Sequence, residues 1–401
     1  MAKIVKVEAF PLVLPDAAPR AYEMRPPWPS IYGTRRETLV VRLTSDDGAV
    51  GWGEALAPVA PEVPALIVER LLAPALLGSD PTRVRPLIAR LRDLMRERGH
   101  LGGHQADAVA AVDIALWDLA GKLAGLPVHA LLGGAFHDEV PTYVSGLPAR
   151  RSRRGALARA ARSSVSATTV PDGLAEDDAA RVSQAAKWVA RGARRIKVGL
   201  GHGVDADLAT VAALRAVHPD LQVAVDMHGV YSLADAIRLG RGLDELGAWF
   251  LEMPIAFEDV AGHADLAARL DLPVALGENL RHRWEFQPFV QARAIGLAQP
   301  DLGRTGITEG VAIAEYAATH HLGVAPHHSA GLGLAFMAGV HVAAVSPNLV
   351  GFEWHTDLFR RVDDILTTPM PRTASAIPLP NGPGLGVEVD AEAVARFRVP
   401  V

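Results

Sequence analysis

Acidic residues and histidines recur along the second half of this chain at one fixed spacing. Each closes a short apolar segment, and each of two successive triplets advances in steps of 26 residues. The first triplet is Asp226, Glu252 and Glu278, and the second is Asp301, His327 and Glu353. A strand, a turn, a helix and a return loop occupy about that length, so the spacing predicts a repeated βα unit. In a (β/α)8 barrel the carboxyl ends of all strands meet at one mouth, where we expect these six side chains to gather.

The segment 221–228, LQVAVDMH, shows the pattern most clearly. Its three apolar residues at 223–225 suit a strand of a parallel sheet that is covered on both faces. Asp226 follows at the point where such a strand ends. His228 leaves the same face two residues later, because strand side chains alternate. An acid and a histidine in this place indicate a functional site.

The length and composition restrict the class of protein. The chain has 401 residues, of which 49% are hydrophobic and 21% are charged, as is usual for globular proteins. This length favours one large barrel with an accessory domain. The balance of 40 basic and 45 acidic residues argues against nucleic acid as a partner. No apolar run reaches the roughly 18 to 20 residues of a membrane span.

Two further features of the composition bear on location and on metal binding. The N-terminal MAKIVKVEAF lacks the apolar core of a signal peptide, so we expect a cytoplasmic enzyme. The chain has no cysteine, and any metal must therefore be held by oxygen or nitrogen atoms.

The first part of the chain has the pattern of a separate α+β domain, because strands are followed there by helices. We predict that this domain covers residues 1–128, is completed by the tail 376–401, and precedes a barrel over 129–375. The predicted elements are a strand over 3–14, a loop over 15–32, a hairpin of 38–43 with 49–52, helical segments over 64–98 and 104–124, and the first two barrel strands over 140–145 and 194–198.

Three acids at matching strand ends predict a metal site. Asp226, Glu252 and Glu278 would place three carboxylates on neighbouring strands, where their mutual repulsion demands a cation. An all-oxygen set with open positions for water and substrate suits Mg²⁺, with Mn²⁺ as an alternative, better than Zn²⁺. Salt bridges from nearby arginines to these acids are the alternative to a metal.

Basic groups are expected on both sides of this site. Lys197 ends the predicted strand RRIKVG, and Arg195 lies two residues back on the same face. A guanidinium beside the ammonium would lower the pKa of Lys197 toward a value useful for proton abstraction. Asp301 and His327 end adjacent strands, so the carboxylate is expected to fix the tautomer of the imidazole.

A divalent ion between these basic groups suits one type of reaction. The ion would chelate a substrate carboxylate, a base would remove the proton from the neighbouring carbon, and the ion would stabilise the resulting enediolate. Groups on opposite faces would then allow reprotonation from the far side or acid-assisted loss of a β-hydroxyl.

Together these motifs resemble those of the enolase superfamily, specifically its mandelate racemase branch, over nearly the whole chain. The motifs are GWGE (51–54), ALWDLAGKLAGLPVHALLGG (115–134), RIKVG, VDMH, FLEMP, GEN, QPD, APHH and NGPGLGVE. The resemblance implies an α/β fold in which an N-terminal α+β capping domain, completed by C-terminal residues, covers a modified TIM barrel of (β/α)7β type.

The resemblance also implies a role for each site residue. The three acids of the first triplet match the metal ligands, and Lys197 matches the second lysine of a Lys-x-Lys pair. Asp301 and His327 match a catalytic dyad, and Glu353 matches a glutamate that hydrogen-bonds the enediolate. The loop 15–32 and the GWGE loop match segments that cover the mouth and select substrate. The expected substrate-binding residues are Asn279, Arg25, Trp28 and Tyr32.

The sequence departs from the family pattern at two positions. Arg195 replaces the first lysine of the pair and keeps its charge. An alternative register would align Lys197 with the first lysine and put Gly199 at the base position; we prefer the first register because an apolar residue and a glycine follow Lys197. His228 stands where racemases of this branch carry Asn, and it resembles the acid of galactonate-type dehydratases. A histidine that only hydrogen-bonds substrate or a ligand carboxylate fits nearly as well.

We therefore expect a Mg²⁺-dependent lyase that dehydrates a sugar acid to a 2-keto-3-deoxy acid. Lys197 or His327 would remove the α-proton, and His327 or His228 would protonate the departing 3-hydroxyl. Racemisation or epimerisation of a 2-hydroxy acid, or cycloisomerisation of a sugar-acid lactone, would share the first step. A metal-free barrel glycosidase and a barrel that only binds a ligand are further alternatives. We expect a small carboxylate as substrate, no nucleic acid or membrane partner, and a homo-oligomer.

Overall fold

A computed structural model describes residues 2–14, 22–24, 30–33, 35–147, 174–329, 331–356, 362–370 and 373–401. The strands are β1 (Ile4–Leu14), β2 (Tyr22–Met24), β3 (Ile31–Gly33), β4 (Arg36–Ser45), β5 (Val50–Ala55), β6 (Glu139–Ser145), β7 (Arg195–Gly199), β8 (Gln222–Asp226), β9 (Leu251–Glu252), β10 (Val274–Leu276), β11 (Leu297–Ala298), β12 (Gly323–Val324), β13 (Phe352–His355) and β14 (Ala376–Pro378). The α-helices are α1 (Glu62–Ile67), α2 (Ala73–Leu76), α3 (Val84–Asp93), α4 (His104–Ala124), α5 (Val128–Leu131), α6 (Leu174–Val189), α7 (Val204–Val217), α8 (Leu233–Glu245), α9 (Val260–Ala267), α10 (Arg283–Gln291), α11 (Leu302–Thr319), α12 (Leu334–Ala344) and α13 (Ala391–Phe397).

The capping domain is built on the antiparallel sheet of β1, β4 and β5, against which α4 packs. Sheet and helix approach each other very closely. A Cβ atom at Gly53 would overlap the carbonyl oxygen of Ala111, and one at Gly51 would overlap that of Ala115. Only glycine permits this approach, which explains both glycines of the GWGE motif. The same packing fixes where the side chain of the next residue, Glu54, emerges.

Eight parallel strands, β6 to β13, form the barrel in sequence order, and β14 adds an antiparallel strand on β6. The last strand, β13, pairs with the first, β6. Hydrogen bonds from the Val350 N–H to the carbonyl of Val324 and from the Glu353 N–H to that of Pro326 join the segment around β13 to that around β12. Helices alternate with these strands along the chain. The expected (β/α)7β barrel with an N-terminal capping domain is confirmed.

Two local predictions are wrong in part. The predicted loop over 15–32 contains the β2–β3 hairpin, which is anchored by the Tyr22 hydroxyl: it donates to Glu37 and accepts from the Ala60 N–H, each at 3.0 Å. The helical segment over 64–98 divides into α1, a π-helical turn at Val68–Leu72, α2 and α3. Long-range contacts such as those of Tyr22 leave no periodic signal in the sequence.

The C-terminal segment contacts both domains. β14 belongs to the barrel sheet through β6, whereas Arg398 forms a bridge with Leu12 of β1. Between them, the N–H of Leu385 donates to the buried carboxylate of Asp118 on α4 at 2.8 Å. Among the described residues, none of the helices has the length and apolar character that crossing a bilayer requires.

Asp113 is a buried acid that joins α4 to the barrel helix α11. The residue is 1% exposed, and its carboxylate accepts hydrogen bonds from the N–H and the hydroxyl of Thr308. Thr308 follows Gly306, whose φ of 71° interrupts α11. Burial raises the pKa of Asp113 to about 7.

We expect Asp113→Asn to change how stability depends on pH. Because the pKa in the folded state lies above the ordinary value of 3.8, the contribution of Asp113 is fully present below that value and is lost as the pH rises to about 7. The free energy of unfolding of the wild type, relative to that of the variant, should fall across this window by up to about 1.4 kcal/mol per pH unit. Denaturant unfolding at a series of pH values measures this difference. A difference that does not vary with pH would contradict the prediction.

Candidate active site

The acids of both triplets gather with Lys197 and His327 at the carboxyl ends of the barrel strands. Asp226 and Glu252 are direct partners in the register of β8 and β9. Lys197 projects from β7 and Glu353 from β13. Asp226, Glu252, Lys197 and Glu353 are at most 4% exposed. The parallel strands therefore bring charged groups that are far apart in sequence into one buried cluster.

Lys197 lies among three carboxylates. Its Nζ is 2.9 and 3.0 Å from the two oxygens of Glu252, 3.0 Å from Oε1 of Glu353 and 3.3 Å from Oδ2 of Asp226. Burial opposes the charge on the ammonium, but these carboxylates outweigh burial and hold the pKa of Lys197 well above its ordinary value.

His327 connects the two triplets. Its Nδ1 lies 2.6 Å from Oδ2 of Asp301, and its Nε2 lies 2.8 Å from Oε2 of Glu278. Asp301 is itself oriented, because it caps α11 and accepts the N–H of Gly303 at 2.8 Å. Burial opposes the charged form of His327, but Glu353, Glu278 and Asp301 hold the pKa of the imidazole well above its ordinary value.

His228 sits at the edge of the cluster, with its Nδ1 3.0 Å from Oδ1 of Asp226 and its side chain 25% exposed. Burial opposes its protonation, but the carboxylate of Asp226 raises the pKa of His228 to about 9. The backbone φ of His228 is 48°, and that of Met253, just past the next strand, is 39°. Non-glycine residues seldom adopt this left-handed conformation, which is found preferentially at functional sites.

Two residues that we did not predict, Tyr143 and Gln299, lie against this cluster. The Tyr143 hydroxyl, from β6, donates to Oε2 of Glu353 at 3.3 Å. Gln299 is fully buried, and its Nε2 donates to Oε2 of Glu252 at 2.7 Å. A signal for Gln299 was present, because it stands two residues before Asp301 in the QPD motif and strand side chains alternate. Tyr143 had no such signal.

The predicted role of Arg195 is not supported by its position. Its guanidinium donates to Gln222 at 2.9 Å and to the carbonyl of Val350 at 2.9 Å, and it lies over the ring of Trp249. These contacts lie outside the cluster of carboxylates. The expectation that Arg195 lowers the pKa of Lys197 is therefore wrong, since the pKa is raised by acids instead.

The structure describes only two of the four expected substrate-binding residues, Asn279 and Tyr32. Asn279 follows Glu278 directly, and its Nδ2 lies 3.1 Å from the sulfur of Met253. Tyr32 is half-buried in β3, where it pairs with Glu23 of β2. Arg25 and Trp28 lie outside the described residues. A substrate-binding role for these four residues stays a prediction.

The charges of the cluster fit a divalent cation. Its carboxylates belong to Asp226, Glu252, Glu278, Asp301 and Glu353, and its cationic side chains are Lys197, His228 and His327. With all of these groups ionised, two negative charges remain in excess. This excess negative charge affects Glu252, whose pKa is raised to about 8 by burial and by the neighbouring carboxylate of Asp226.

Two sets of ligands can be drawn from this cluster. Ligand atoms of Glu252, Glu278 and His327 lie within 4.8 Å of one another. However, both nitrogens of His327 face carboxylate oxygens, so each nitrogen is placed to donate a hydrogen bond rather than to offer a lone pair to a metal. Asp226 is the register partner of Glu252 and supplies oxygen, which a hard cation prefers. Asp226, Glu252 and Glu278 therefore fit Mg²⁺ better.

The chain matches known protein families over both of its domains. Residues 180–394 match the family described as enolase C-terminal domain-like, and residues 19–133 match the N-terminal domain of mandelate racemase and muconate lactonizing enzyme. A D-galactarolactone cycloisomerase from Agrobacterium fabrum is 31% identical over 91% of this chain and 92% of its own length. An arabinonate dehydratase from Saccharolobus solfataricus is 31% identical over 88% of each chain.

A solved structure extends the similarity to the fold. The crystal structure of a member of the enolase superfamily from Agrobacterium tumefaciens superposes with a TM-score of 0.86 at 32% identity, covering 98% of this chain and 99% of that one. Both domains match this family, and the relatives are similar over most of the chain. The chain belongs to the enolase superfamily, in the family of mandelate racemase and muconate lactonizing enzyme.

Proposed function

We propose that this protein is a Mg²⁺-dependent lyase that dehydrates a sugar acid. In this reaction the proton α to the carboxylate is removed and the 3-hydroxyl leaves as water. The resulting enol tautomerises to a 2-keto-3-deoxy acid. The observation that carries the proposal is the position of Glu353, which lies 3.0 Å from Nζ of Lys197 through one oxygen and 3.8 Å from Nε2 of His327 through the other. Two groups able to transfer protons thus flank one carboxylate cluster.

Asp226, Glu252 and Glu278 would hold the metal. Bound there, Mg²⁺ would compete with Lys197 for the carboxylate oxygens and would supply positive charge to stabilise an enediolate. With the metal neutralising these carboxylates, Lys197 would release its proton to water and could then accept the α-proton at Nζ. His327 is held by Asp301 through Nδ1 and presents Nε2 to the cluster, so it can donate a proton from Nε2 to the departing hydroxyl.

His228 is the second candidate for the acid. Its Nδ1 is held by Asp226, and its side chain keeps partial exposure to the mouth. The carboxylate of Asp226 raises the pKa of His228 to about 9 and thereby favours the protonated form that an acid requires. The choice between His228 and His327 depends on which side of the substrate carries the 3-hydroxyl.

A second candidate function is cycloisomerisation of a sugar-acid lactone. The cycloisomerase relative favours it, since that enzyme is as similar to this chain as the dehydratase relative is. Both reactions begin with removal of an α-proton, so the same site serves either. Product analysis distinguishes them, because dehydration yields a 2-keto acid with the loss of water and cycloisomerisation yields an isomer of the substrate.

Exchange of the α-proton in D₂O tests the shared first step. With Mg²⁺ present, we expect the wild type to incorporate deuterium into at least one member of a panel of mono- and diacid sugars and their lactones. Lys197→Ala should slow this exchange roughly 10²- to 10⁴-fold, because the base is lost. Mass spectrometry of the recovered acids measures the exchange.

Arg195→Gln is the matched control, since it removes a cation from the same strand outside the carboxylate cluster. We expect it to keep the exchange rate of the wild type. No exchange into any acid of the panel, or an undiminished rate in Lys197→Ala, would contradict the proposed function.

A further inference from the structure

Glu54, the last residue of the GWGE motif, is a buried acid at the junction of the two domains. It is 0% exposed and belongs to β5 of the capping domain. Its carboxylate accepts hydrogen bonds from the N–H of Leu332 at 2.6 Å and of Ala335 at 3.1 Å, and from the Thr38 hydroxyl at 3.1 Å. Both N–H groups belong to the barrel. The carboxylate of Glu54 therefore links the capping domain to the barrel domain.

This carboxylate does for α12 what a capping side chain usually does within one helix. The N-cap position of α12 is Gly333, which has a φ of 107° and no side chain to accept a hydrogen bond. The first N–H groups of a helix need acceptors, and a negative charge is favourable there. Glu54 supplies both, although it stands 278 residues from Leu332 in the sequence.

The segment that Glu54 holds begins at the catalytic histidine. Leu332 lies five residues after His327. His328, next to His327, is 3% exposed, and its ring packs edge-on against Phe336 of α12 at 5.1 Å between centroids. A Cβ atom at Gly331 would lie 2.9 Å from Oε1 of Glu54, so the backbone must pass close to this carboxylate. The position of α12 therefore limits where His327 can lie.

The same strand end also holds the other member of the dyad. The N–H of Leu56, just past β5, donates to the carbonyl of Gly303 at 2.8 Å. The N–H of Gly303 in turn donates to Oδ1 of Asp301 at 2.8 Å. A Cβ atom at Gly303 would lie 2.7 Å from the nitrogen of Leu56. Residues 54–56 thus contact the segments that follow both Asp301 and His327.

We propose that Glu54 is a positioning residue for the Asp301–His327 dyad. It fixes the start of α12, and thereby the distance between Nδ1 of His327 and the Asp301 carboxylate, from the capping domain. Docking of that domain is thus coupled to the geometry of the acid–base pair. The catalytic importance of that geometry rests on the function proposed above, but the geometry itself can be measured without a substrate.

The test is the NMR signal of the proton on Nδ1 of His327 in Mg²⁺-containing buffer. A proton shared with a carboxylate at 2.6 Å resonates far downfield of the amide region, and its loss in His327→Asn assigns it. Glu54→Gln turns one acceptor oxygen into an NH₂ group that faces an N–H donor. We expect the signal to shift or to broaden beyond detection in this variant.

Asp118→Asn is the matched control. Asp118 is 1% exposed in the same domain and accepts two backbone N–H groups at 2.8 Å, from Trp52 and from Leu385, but neither group adjoins the dyad. Both variants should lower the melting temperature, and only Glu54→Gln should move the His327 signal. If Glu54→Gln does not fold, Thr38→Val removes the hydroxyl that lies 3.1 Å from Glu54 and 2.7 Å from the carbonyl of Ala55, and a smaller shift is expected. A wild-type signal in the folded Glu54 variant, or in Thr38→Val where that one replaces it, would overturn the proposal.

Kinetics separate this proposal from the proposed function. Once a substrate is identified, Glu54→Gln should lower kcat roughly tenfold or more with little change in KM, because the dyad is misplaced and the remaining contacts with substrate are kept. If no sugar acid is turned over, the proposed function fails while the NMR result for Glu54 still stands.

Discussion

Replacing His327 with asparagine is expected to lower turnover by roughly 10³- to 10⁴-fold. The amide can still hydrogen-bond to Asp301, but it cannot donate a proton to the substrate as Nε2 of the imidazole does. Binding of Mg²⁺ should persist, because Asp226, Glu252 and Glu278 are unchanged. Steady-state rates on the substrate identified by the D₂O screen, together with calorimetric titration of Mg²⁺, measure both effects.

His263→Asn provides the comparison for this variant. His263 on α9 is also buried, but its Nδ1 contacts the carbonyl of Asp259, the N-cap of that helix, outside the carboxylate cluster. Its replacement should cost stability and leave turnover near that of the wild type. Equal turnover in His327→Asn and the wild type would remove His327 from the mechanism.

The second large effect is expected at the metal site. Glu252→Gln should weaken Mg²⁺ binding at least about 10²-fold, because loss of a mere hydrogen-bond partner of a metal ligand already costs 10- to 100-fold. Glu252 is also the carboxylate that holds Lys197 and Gln299, so the base loses its orientation as well. Titration with Mn²⁺ followed by electron paramagnetic resonance measures the affinity directly.

Asp207→Asn is a suitable control for Glu252→Gln. Asp207 is a buried acid beside the loop after β7, where it accepts the N–H groups of Gly201 and His202 and not the charges of the cluster. It should leave metal affinity unchanged. Unaltered affinity in Glu252→Gln would contradict the assigned ligands, and activity that survives full chelation would favour a metal-free glycosidase.

The sequence predicted the barrel and the gathering of both triplets because one geometric rule connects spacing to position. In parallel βα units, residues one repeat apart occupy the same level of the barrel, so Asp226 and Glu252 had to become neighbours. The rule holds only while the units keep equal lengths, as they do from β8 to β10 and again from β11 to β13, whereas the step from Glu278 to Asp301 is 23 residues.

The sequence pattern does not show at which level along a strand a side chain enters the barrel. Alternation places Arg195 and Lys197 on one face, but two residues of a strand span roughly 6.6 Å. Because of this distance, the guanidinium of Arg195 lies beside Val350 and Trp249, and it does not reach the carboxylates around Lys197. The contact of Tyr143 with Glu353 could not be predicted either, because a tyrosine inside a strand gives the same sequence pattern as a residue that only packs in the core.

The buried carboxylate of Asp118 has a consequence for how this protein folds. It joins the N–H of Trp52, 66 residues away, to that of Leu385, 267 residues away, across the whole intervening barrel. Contacts of such sequence separation require large loops to close, and they slow folding because the entropy of closure is lost before any contact is gained. This contact within the first domain therefore forms only after the whole barrel sequence has been synthesised, although α4 and the sheet it packs against precede the barrel in the chain.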